Sequence, residues 1–594
     1  MTAASLDKDL AMSSAVQKAL VWYRSRIQSI RWTEYLGKLV ATDKDGASSS
    51  TVQNSRFSSR TRIASILGRP DGGAGLAGQK VRISGWVKTG RGQGKGTFAF
   101  LEVNDGSCAA NLQVMVDASV SDLSKLVATG TCLTADGCLK IPPKGKGTKQ
   151  KIELRADKVT DVGTVDPATY PLPKTNLSQE YLRDITHFRI RTKSCAATVR
   201  TGSIAAKLVD GFFDEELFTF VHTPIITTCD CEGGGETFQV TTLIKQSEKL
   251  ERDVVMNIEA AKLIVEEKGE AVAQLKAAKA SLQEIAALVA ELDEAEEALA
   301  EVEEIKSRLK PGLPYKDGKI DYSKDFFCRP TFLTVSGQFQ LESCSRGIGD
   351  VYTFGPTFRA EKSHTSRHLS EFRMVEAEIA FAGLEELMNC AEAFVKYICN
   401  GLLEKGYDDL KVLAEKFDKD CIDRLKVAAT TPFGRVTYTE AIKLLEEAVA
   451  QGKTFEKQVE WGIDLASEHE RYLTEVLFQK PLIVYNYPKE IKPFYMRLND
   501  DGKTVGAMDV LVPKVGELIG GSEREERFDV LMERVEEMGL SAEQHEWYTE
   551  LRRQGTANHS GFGMGFERML LFATGIDNIR DVSLFPRYPG RADL

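Results

Sequence analysis

The sequence predicts an α+β protein in two parts, a small all-β unit and then a larger mixed unit that an all-helical segment interrupts. Three observations carry that expectation. Residues 79–162 hold short runs of alternating apolar and polar residues between glycine-rich turns. From about residue 190 onward helical spacing alternates with strand-like runs, and Met256–Leu309 is dominated by Ala, Glu, Lys and Leu. A chain of 594 residues is long enough for two or more domains with cores of their own. Its 42% hydrophobic and 28% charged residues exclude a disordered chain, and the lack of any run of 18 apolar residues excludes a membrane-spanning helix. Eleven cysteines, none in a CxxC pair, read as reduced thiols in a cytosol-like compartment. The formal charge of −10 argues against non-specific coating of nucleic acid but not against RNA binding through one local basic surface.

Residues 1–75 read as an N-terminal extension, partly flexible, with a helix over Ala11–Val40 and a polar stretch at Ser48–Ser50. Arg24, Arg26 and Arg31 also suit an organelle transit segment; Asp7, Asp9 and Glu34 weigh against it, so the cytoplasm is the expected compartment. In residues 76–165 the alternating runs Val81–Val87, Phe98–Asn104 and Asn111–Asp117 form a small barrel or sandwich that Lys151–Val162 closes. A five-stranded oligonucleotide-binding (OB) barrel is one option, with Phe100 and Gln113 as candidates for its RNA-facing side; both residue types are equally at home in a core or on a plain surface. Pro171 and Pro173 place a hinge over 166–190. The second unit, 191–594, opens with a helix over Ala196–Asp214 and a strand, Phe218–His222, that Pro224 ends. Its insertion, 250–312, has Leu275, Leu282, Ile285, Val289 and Leu292 at helical intervals, and Gly269 marks the expected turn between two helices. Acidic residues crowd its second half, Glu291–Glu304, which suits a spacer or protein contact better than RNA.

Two clusters carry chemistry. Val351–Phe354 and Phe372–Phe381 are strand-like runs around Gly355-Pro356-Thr357-Phe358-Arg359-Ala360-Glu361 and a basic loop, Lys362–Arg367. Arg359 in such a hairpin can fork onto a phosphate and Phe372 can stack on a base, although either is also an ordinary structural residue. Near the C-terminus, Gly561-Phe562-Gly563-Met564-Gly565-Phe566-Glu567-Arg568 alternates glycine with apolar residues and runs into an apolar helix. The glycines permit close approach of backbone to a ligand. The pattern is neither a Walker loop nor a Rossmann fingerprint.

In this order the two clusters resemble the second and third motifs of class II aminoacyl-tRNA synthetases, through Phe358-Arg359-Ala360-Glu361 and Gly563-Met564-Gly565-Phe566-Glu567-Arg568. The helix and strand ending at Pro224 resemble the degenerate first motif, and the preceding barrel resembles the one found in the aspartate, asparagine and lysine subgroup. The resemblance covers about residues 78–594. It implies an antiparallel sheet flanked by helices, an OB-fold barrel that binds the anticodon, and a homodimer through the first motif. It further implies ATP as substrate with Mg²⁺ as cofactor, and no membrane. Gly269–Leu292 is similar to the helical-hairpin WHEP module appended to several eukaryotic synthetases.

Within the subgroup, Thr334-Val335-Ser336-Gly337-Gln338 and Arg359–Phe381 resemble the asparaginyl family most. Aspartyl enzymes carry a lysine that pairs the substrate carboxylate; Leu341 stands at that position and Glu342 follows it. Glu342 repels a carboxylate and accepts from an amide NH₂, directly or through water, while Arg524 donates to a side-chain oxygen that either substrate has. The resemblance further implies that Glu232, Ser336 and Gln338 hold the substrate ammonium. It implies Arg359 on the α-phosphate, Glu361 on the adenine amino group, Phe372 on the adenine face, and Arg568 on adenine and γ-phosphate. His368 then lies beside the phosphates, Asp509 and Glu517 hold Mg²⁺, and Phe100 and Gln113 contact the anticodon. The reading is an asparagine–tRNA ligase that takes L-asparagine, ATP and tRNA(Asn). The alternatives are an aspartyl enzyme of relaxed specificity, a non-catalytic relic, which the intact Arg359, Glu361, Asp509, Glu517 and Arg568 oppose, and an asparagine synthetase, which has no use for the barrel.

Overall fold

The computed structural model describes residues 57–143, 150–228, 236–308, 312–541, 543 and 545–593. They fall into two compact units that meet in sequence between Ala168 and Thr169.

The first unit is a closed five-stranded barrel of β1 (Lys80–Gln93), β2 (Phe98–Asn104), β3 (Leu112–Asp117), β4 (Cys132–Lys140) and β5 (Glu153–Gly163), in the order β1-β2-β3-β5-β4. Alternation decides what faces inward: Val81, Ile83 and Val87 on β1 and Val114 and Val116 on β3 are buried together. The barrel unit begins earlier than the sequence suggested. A short helix, Ile63–Leu67, packs Ile63 and Ile66 into the same core, and the Ile63 N–H donates to Asp105 at 3.0 Å. Residues 61–75 therefore belong to this unit rather than to a flexible extension, because Ile63 and Ile66 are buried in its core. Residues 1–56, with the Ala11–Val40 helix and the arginines of the transit reading, lie outside the described residues.

The second unit is an eight-stranded sheet with helices against it. After α1 (Lys193–Glu215), whose N-terminus Thr192 caps, come β6 (Thr219–Phe220), α2 (Leu243–Ala277), α3 (Leu282–Arg308) and α4 (Gln338–Ile348). Then follow β7 (Val351–Phe358), β8 (Glu371–Ala380), α5 (Leu384–Lys405), β9 (Gly434–Thr437), β10 (Leu482–Pro488), β11 (Thr504–Val512), β12 (Gly516–Glu523), β13 (His559–Gly565) and α6 (Phe566–Thr574). The sheet order is β9-β10-β11-β12-β13-β8-β7-β6, antiparallel throughout except for the outermost pair on each side. Its central strands bury one face against α1, α5 and α6, where Phe212, Phe394, Phe562 and Phe572 meet in the main core.

Two expectations need correction. The hinge over 166–190 is not all linker: the helices Gln179–Asp184 and Thr186–Arg189 are pinned to the second unit, Arg183 by a fork to Asp581 at 2.8–2.9 Å and Arg189 by donation to the Leu584 carbonyl. The inserted helices turn at residues 278–281, and Gly269 lies inside α2. A single glycine costs a long helix only about 1 kcal/mol, whereas the Ser281–Glu284 capping pair starts a new one.

Candidate active site

The face of the sheet turned away from α1, α5 and α6 floors a cavity of about 600 Å³. Strand register builds that floor in rows. Asp509 on β11 pairs with Gly520 on β12, Gly520 with Gly563 on β13, and Gly563 with Glu376 on β8. The next row runs Ser522, Gly561, Glu378. Each row thus sets carboxylates beside glycines, and the glycines keep the space above them open. A Cβ on Gly561 would come within 2.1 Å of Glu378 Oε1, so this position accepts no larger residue unless Glu378 moves. With strands about 4.8 Å apart, three steps separate the backbones of Asp509 and Glu376 by roughly 14 Å. The trough between them is long enough for a nucleotide's phosphates and an amino acid placed end to end.

At one end, β7 delivers Arg359 to the cavity wall, its N–H bonded to the Ser370 carbonyl across the hairpin at 3.0 Å. Its guanidinium lies 5.5 Å from the centre of the Phe372 ring, which shares a strand face with Met374, Glu376 and Glu378. Glu361 sits 3.9 Å from Arg359 and 4.0 Å from His368, and burial lowers the affinity of His368 for a proton despite Glu361. Arg568, in the first turn of α6, donates to Glu517 Oε2 at 3.0 Å. Burial raises the Glu517 carboxyl, but Arg568 and then Lys492 outweigh it and hold it below its usual range. Asp509 goes the other way: burial prevails over the 2.9 Å bond from Lys492. Glu470, which accepts from the Glu517 N–H, is pushed up to about 8 by burial and then by the charges of Glu517 and Asp509.

At the other end, Ser336 donates through its hydroxyl to Glu376, which also accepts the Gly337 N–H at 2.8 Å. Gln338 heads α4 with its amide on the cavity wall. Arg524 reaches the same wall from the end of β12. It is forked onto Glu378 (2.6 and 3.4 Å), bonded to Ser522 Oγ at 2.8 Å, and 3.8 Å from Glu342.

Ser336, Gln338, Arg359, His368, Asp509, Glu517, Arg524 and Arg568 line one cavity, whereas Glu361 and Phe372 stand beside Arg359 and are not on its wall. Glu342 does not line the cavity. It is wholly buried behind Gln338 and Arg524, because Gln338, Tyr548, Arg552 and His559 all close on it, so its influence on a ligand passes through the first two. Leu341 is also fully buried and leaves no cation at its position. Glu232 lies outside the described residues. In the barrel, Phe100 and Gln113 stand on one outer face: Phe100 pairs with Met115, two residues from Gln113, and the Gln113 amide donates to Glu153 at 2.8 Å. Sequence reasoning missed Glu376, Glu378, Lys492, Glu470 and Arg367, all on the cavity wall. Glu376 and Glu378 had a legible signal, two acids alternating with Val375, Ala377 and Ile379 in an otherwise apolar strand. The others come from loops and short helices whose position only the fold settles.

A glycine-floored antiparallel sheet with one arginine on the hairpin strand and another opening the following helix defines a class II aminoacyl-tRNA synthetase. Residues 314–589 match the family of class II tRNA synthetases for D, K and N, and residues 81–162 match the OB-fold nucleic acid binding domain. The chain is 67% identical over 537 residues to an asparagine–tRNA ligase of Arabidopsis thaliana described as cytoplasmic, covering 89% of this chain and 94% of that one. It is 44% identical to an asparagine–tRNA ligase of Porphyromonas gingivalis, covering 88% and 97%. The structure is similar to that of asparaginyl-tRNA synthetase from Pyrococcus horikoshii complexed with asparaginyl-adenylate, with a TM-score of 0.67 at 28% identity, covering 90% and 99%. The chain belongs to the asparagine–tRNA ligase family.

Proposed function

We propose that this enzyme joins L-asparagine to AMP from ATP, releases diphosphate, and passes the asparaginyl group to the 3′ end of tRNA(Asn). The observation that carries the choice of amino acid is the setting of Arg524. Its charge is already matched by Glu378 at 2.6 Å and Glu342 at 3.8 Å, and Leu341 adds no cation. A neutral carboxamide meets a donor there without bringing charge; an aspartate side chain brings a third carboxylate to an arginine that already faces two, a costly burial.

No protein nucleophile is required. The asparagine carboxylate attacks the α-phosphorus in line, the bond to the diphosphate oxygen breaks, and the 3′-hydroxyl of the terminal adenosine later displaces AMP from the carbonyl. Catalysis is then positioning and charge neutralisation. Glu376 is the buried anion for the ammonium, with Ser336 and Gln338 beside it, and Glu232 is a further ligand by resemblance alone. Arg359 neutralises the α-phosphate, Phe372 stacks on adenine, Glu361 accepts from the adenine amino group, and Arg568 and His368 face the outer phosphates. Asp509 and Glu517 suit Mg²⁺: a Cβ on Gly520 would lie 3.1 Å from Glu517 Oε1 and 3.5 Å from Asp509 Oδ1, so both hard oxygens flank one open space. When bound there, Mg²⁺ offsets the charge of the ATP phosphates.

The barrel's outer face supports anticodon binding, with Phe100 as stacking platform and Gln113 as polar contact. Exposed apolar side chains at Val199, Leu217 and Phe220, on and after α1, support a homodimer through this region. The cytoplasmic description of the Arabidopsis relative supports the same compartment here. The acidic α2–α3 hairpin suits a protein contact more than RNA. Arg359→Ala tests the mechanism: asparagine-dependent ATP–diphosphate exchange falls by about 10²–10³ while asparagine binding changes little. Exchange at a near-normal rate would overturn the role of Arg359.

A further inference from the structure

Behind the wall of the amino-acid cavity lies a buried polar cluster centred on Glu342. One oxygen, Oε1, accepts from Gln338 Nε2 at 3.0 Å and lies 3.8 Å from Arg524. The other, Oε2, accepts from Arg552 Nη2 at 2.8 Å and Tyr548 Oη at 2.7 Å, with His559 Nε2 at 3.1 Å. Tyr548 lies in the short helix Glu546–Glu550 and Arg552 in the turn after it, and the guanidinium lies 3.9 Å from the centre of the Tyr548 ring. Arg552 is 3% exposed and Tyr548 fully buried; the other donors of Arg552 go to the Tyr548 hydroxyl at 2.6 Å and to the Glu525 and Tyr548 carbonyls. His559 Nε2 faces Glu342, and its Nδ1 lies between Arg346 Nη2 at 3.5 Å and the Ala557 carbonyl at 3.4 Å.

We infer that Arg552, supported by Tyr548, is a positioning residue for amino-acid recognition. It holds Glu342 as a fixed anion, and Glu342 in turn sets which way the Gln338 amide faces the ligand. An ionised carboxylate only accepts hydrogen bonds, so it must receive the NH₂ of Gln338. That leaves Gln338 Oε1, an acceptor, for the ammonium or the carboxamide NH₂ of asparagine. A protonated Glu342 would donate instead, and Gln338 could turn over. Burial would raise the Glu342 carboxyl, but Arg552, His559 and Arg524 together hold it well below its usual range. The titratable and charged groups facing Glu342 are Arg524, Arg552, Arg346, His559, Tyr548 and Glu378. Arg552 is the cation bonded to it directly and has no contact with the cavity.

This inference rests on the asparagine reading of the cavity, and the test separates the two. The measurement is ATP–diphosphate exchange with the full-length enzyme, in which KM for asparagine and for ATP are followed between pH 5.5 and 8.5. For Arg552→Met the asparagine KM rises about 100-fold and the ATP KM by less than about threefold, because one partner of a buried pair has been removed at the amino-acid end only. The ratio of variant to wild-type asparagine KM falls as pH rises, since Glu342 without its guanidinium keeps a proton at the acid end of the range. Arg552→Lys restores a ratio independent of pH. Tyr548→Phe, which keeps shape and removes two hydrogen bonds to charged groups, one donated to Glu342 and one accepted from Arg552, raises the asparagine KM about tenfold and decides the matter if Arg552→Met does not fold. Equal rises in both KM values, or a ratio flat with pH in Arg552→Met, would overturn the role of Arg552. A wild-type enzyme that exchanges with aspartate and not asparagine would overturn the reading of the cavity instead.

Discussion

Glu378→Gln isolates the electrostatic account of asparagine choice. The change keeps the side chain's size and removes one negative charge from a buried group of four, Arg524 and Arg552 against Glu342 and Glu378. In the wild type that group is balanced, and an aspartate carboxylate arriving at Arg524 meets Glu378 on the guanidinium's other edge. With Glu378 Oε1 2.6 Å from Arg524 Nη2, the second carboxylate lies about 5–6 Å away across the fork. At an effective dielectric constant of about 20 the repulsion is about 3 kcal/mol, or roughly 150-fold in relative kcat/KM. The variant should therefore lose asparagine preference by about two orders of magnitude, chiefly through faster use of aspartate. Amino-acid-dependent ATP–diphosphate exchange with each substrate measures this directly. Burial raises the Glu378 carboxyl despite Arg524, so the wild-type preference should also weaken as pH falls, while the variant does not share that dependence. A preference ratio within threefold of wild type at pH 7.5 would refute the charge-balance argument.

Three further outcomes follow from other parts of the molecule. Gly561→Ala forces a Cβ to within 2.1 Å of Glu378 Oε1, so it should leave a folded protein by circular dichroism but reduce exchange at least about 100-fold. Phe100→Ala should raise KM for tRNA about tenfold or more, the worth of one stacked base, and leave exchange without tRNA unchanged. Glu470 is pushed up to about 8 by burial, then Glu517 and Asp509; between its ordinary value and 8 the folded chain keeps a proton that the unfolded chain has released. In Mg²⁺-free buffer its contribution to stability therefore falls as pH rises through that window, by up to about 1.4 kcal/mol per pH unit. Urea unfolding at pH 5, 6.5 and 8 should show a slope that Glu470→Gln lacks; equal slopes would remove Glu470 as its source.

How far the site was legible depended on whether its residues lie in regular strands or arrive from afar. Arg359, Asp509, Glu517 and Arg568 stand on or beside strands whose alternation and glycine spacing are local, and the fold brings them to one cavity, with Phe372 beside Arg359. Glu342 was legible as an acid in the right segment but not as a buried one, since Tyr548, Arg552 and His559 reach it from more than 200 positions away. The turn of the inserted hairpin was misplaced at Gly269 because a glycine is a weak helix breaker, and the Ser281–Glu284 cap that starts α3 is the stronger signal.

The linear order of residues by itself determined the barrel, the inserted helices, the two arginine-bearing segments and the class of chemistry, because periodicity, glycine alternation and charge are properties of neighbours along the chain. The folded arrangement alone decided which acids oppose which cations. Charge balance around Arg524 depends on inverse distance between groups far apart in sequence, and only the register of β8, β12 and β13 and the return of Arg552 behind Gln338 set those distances.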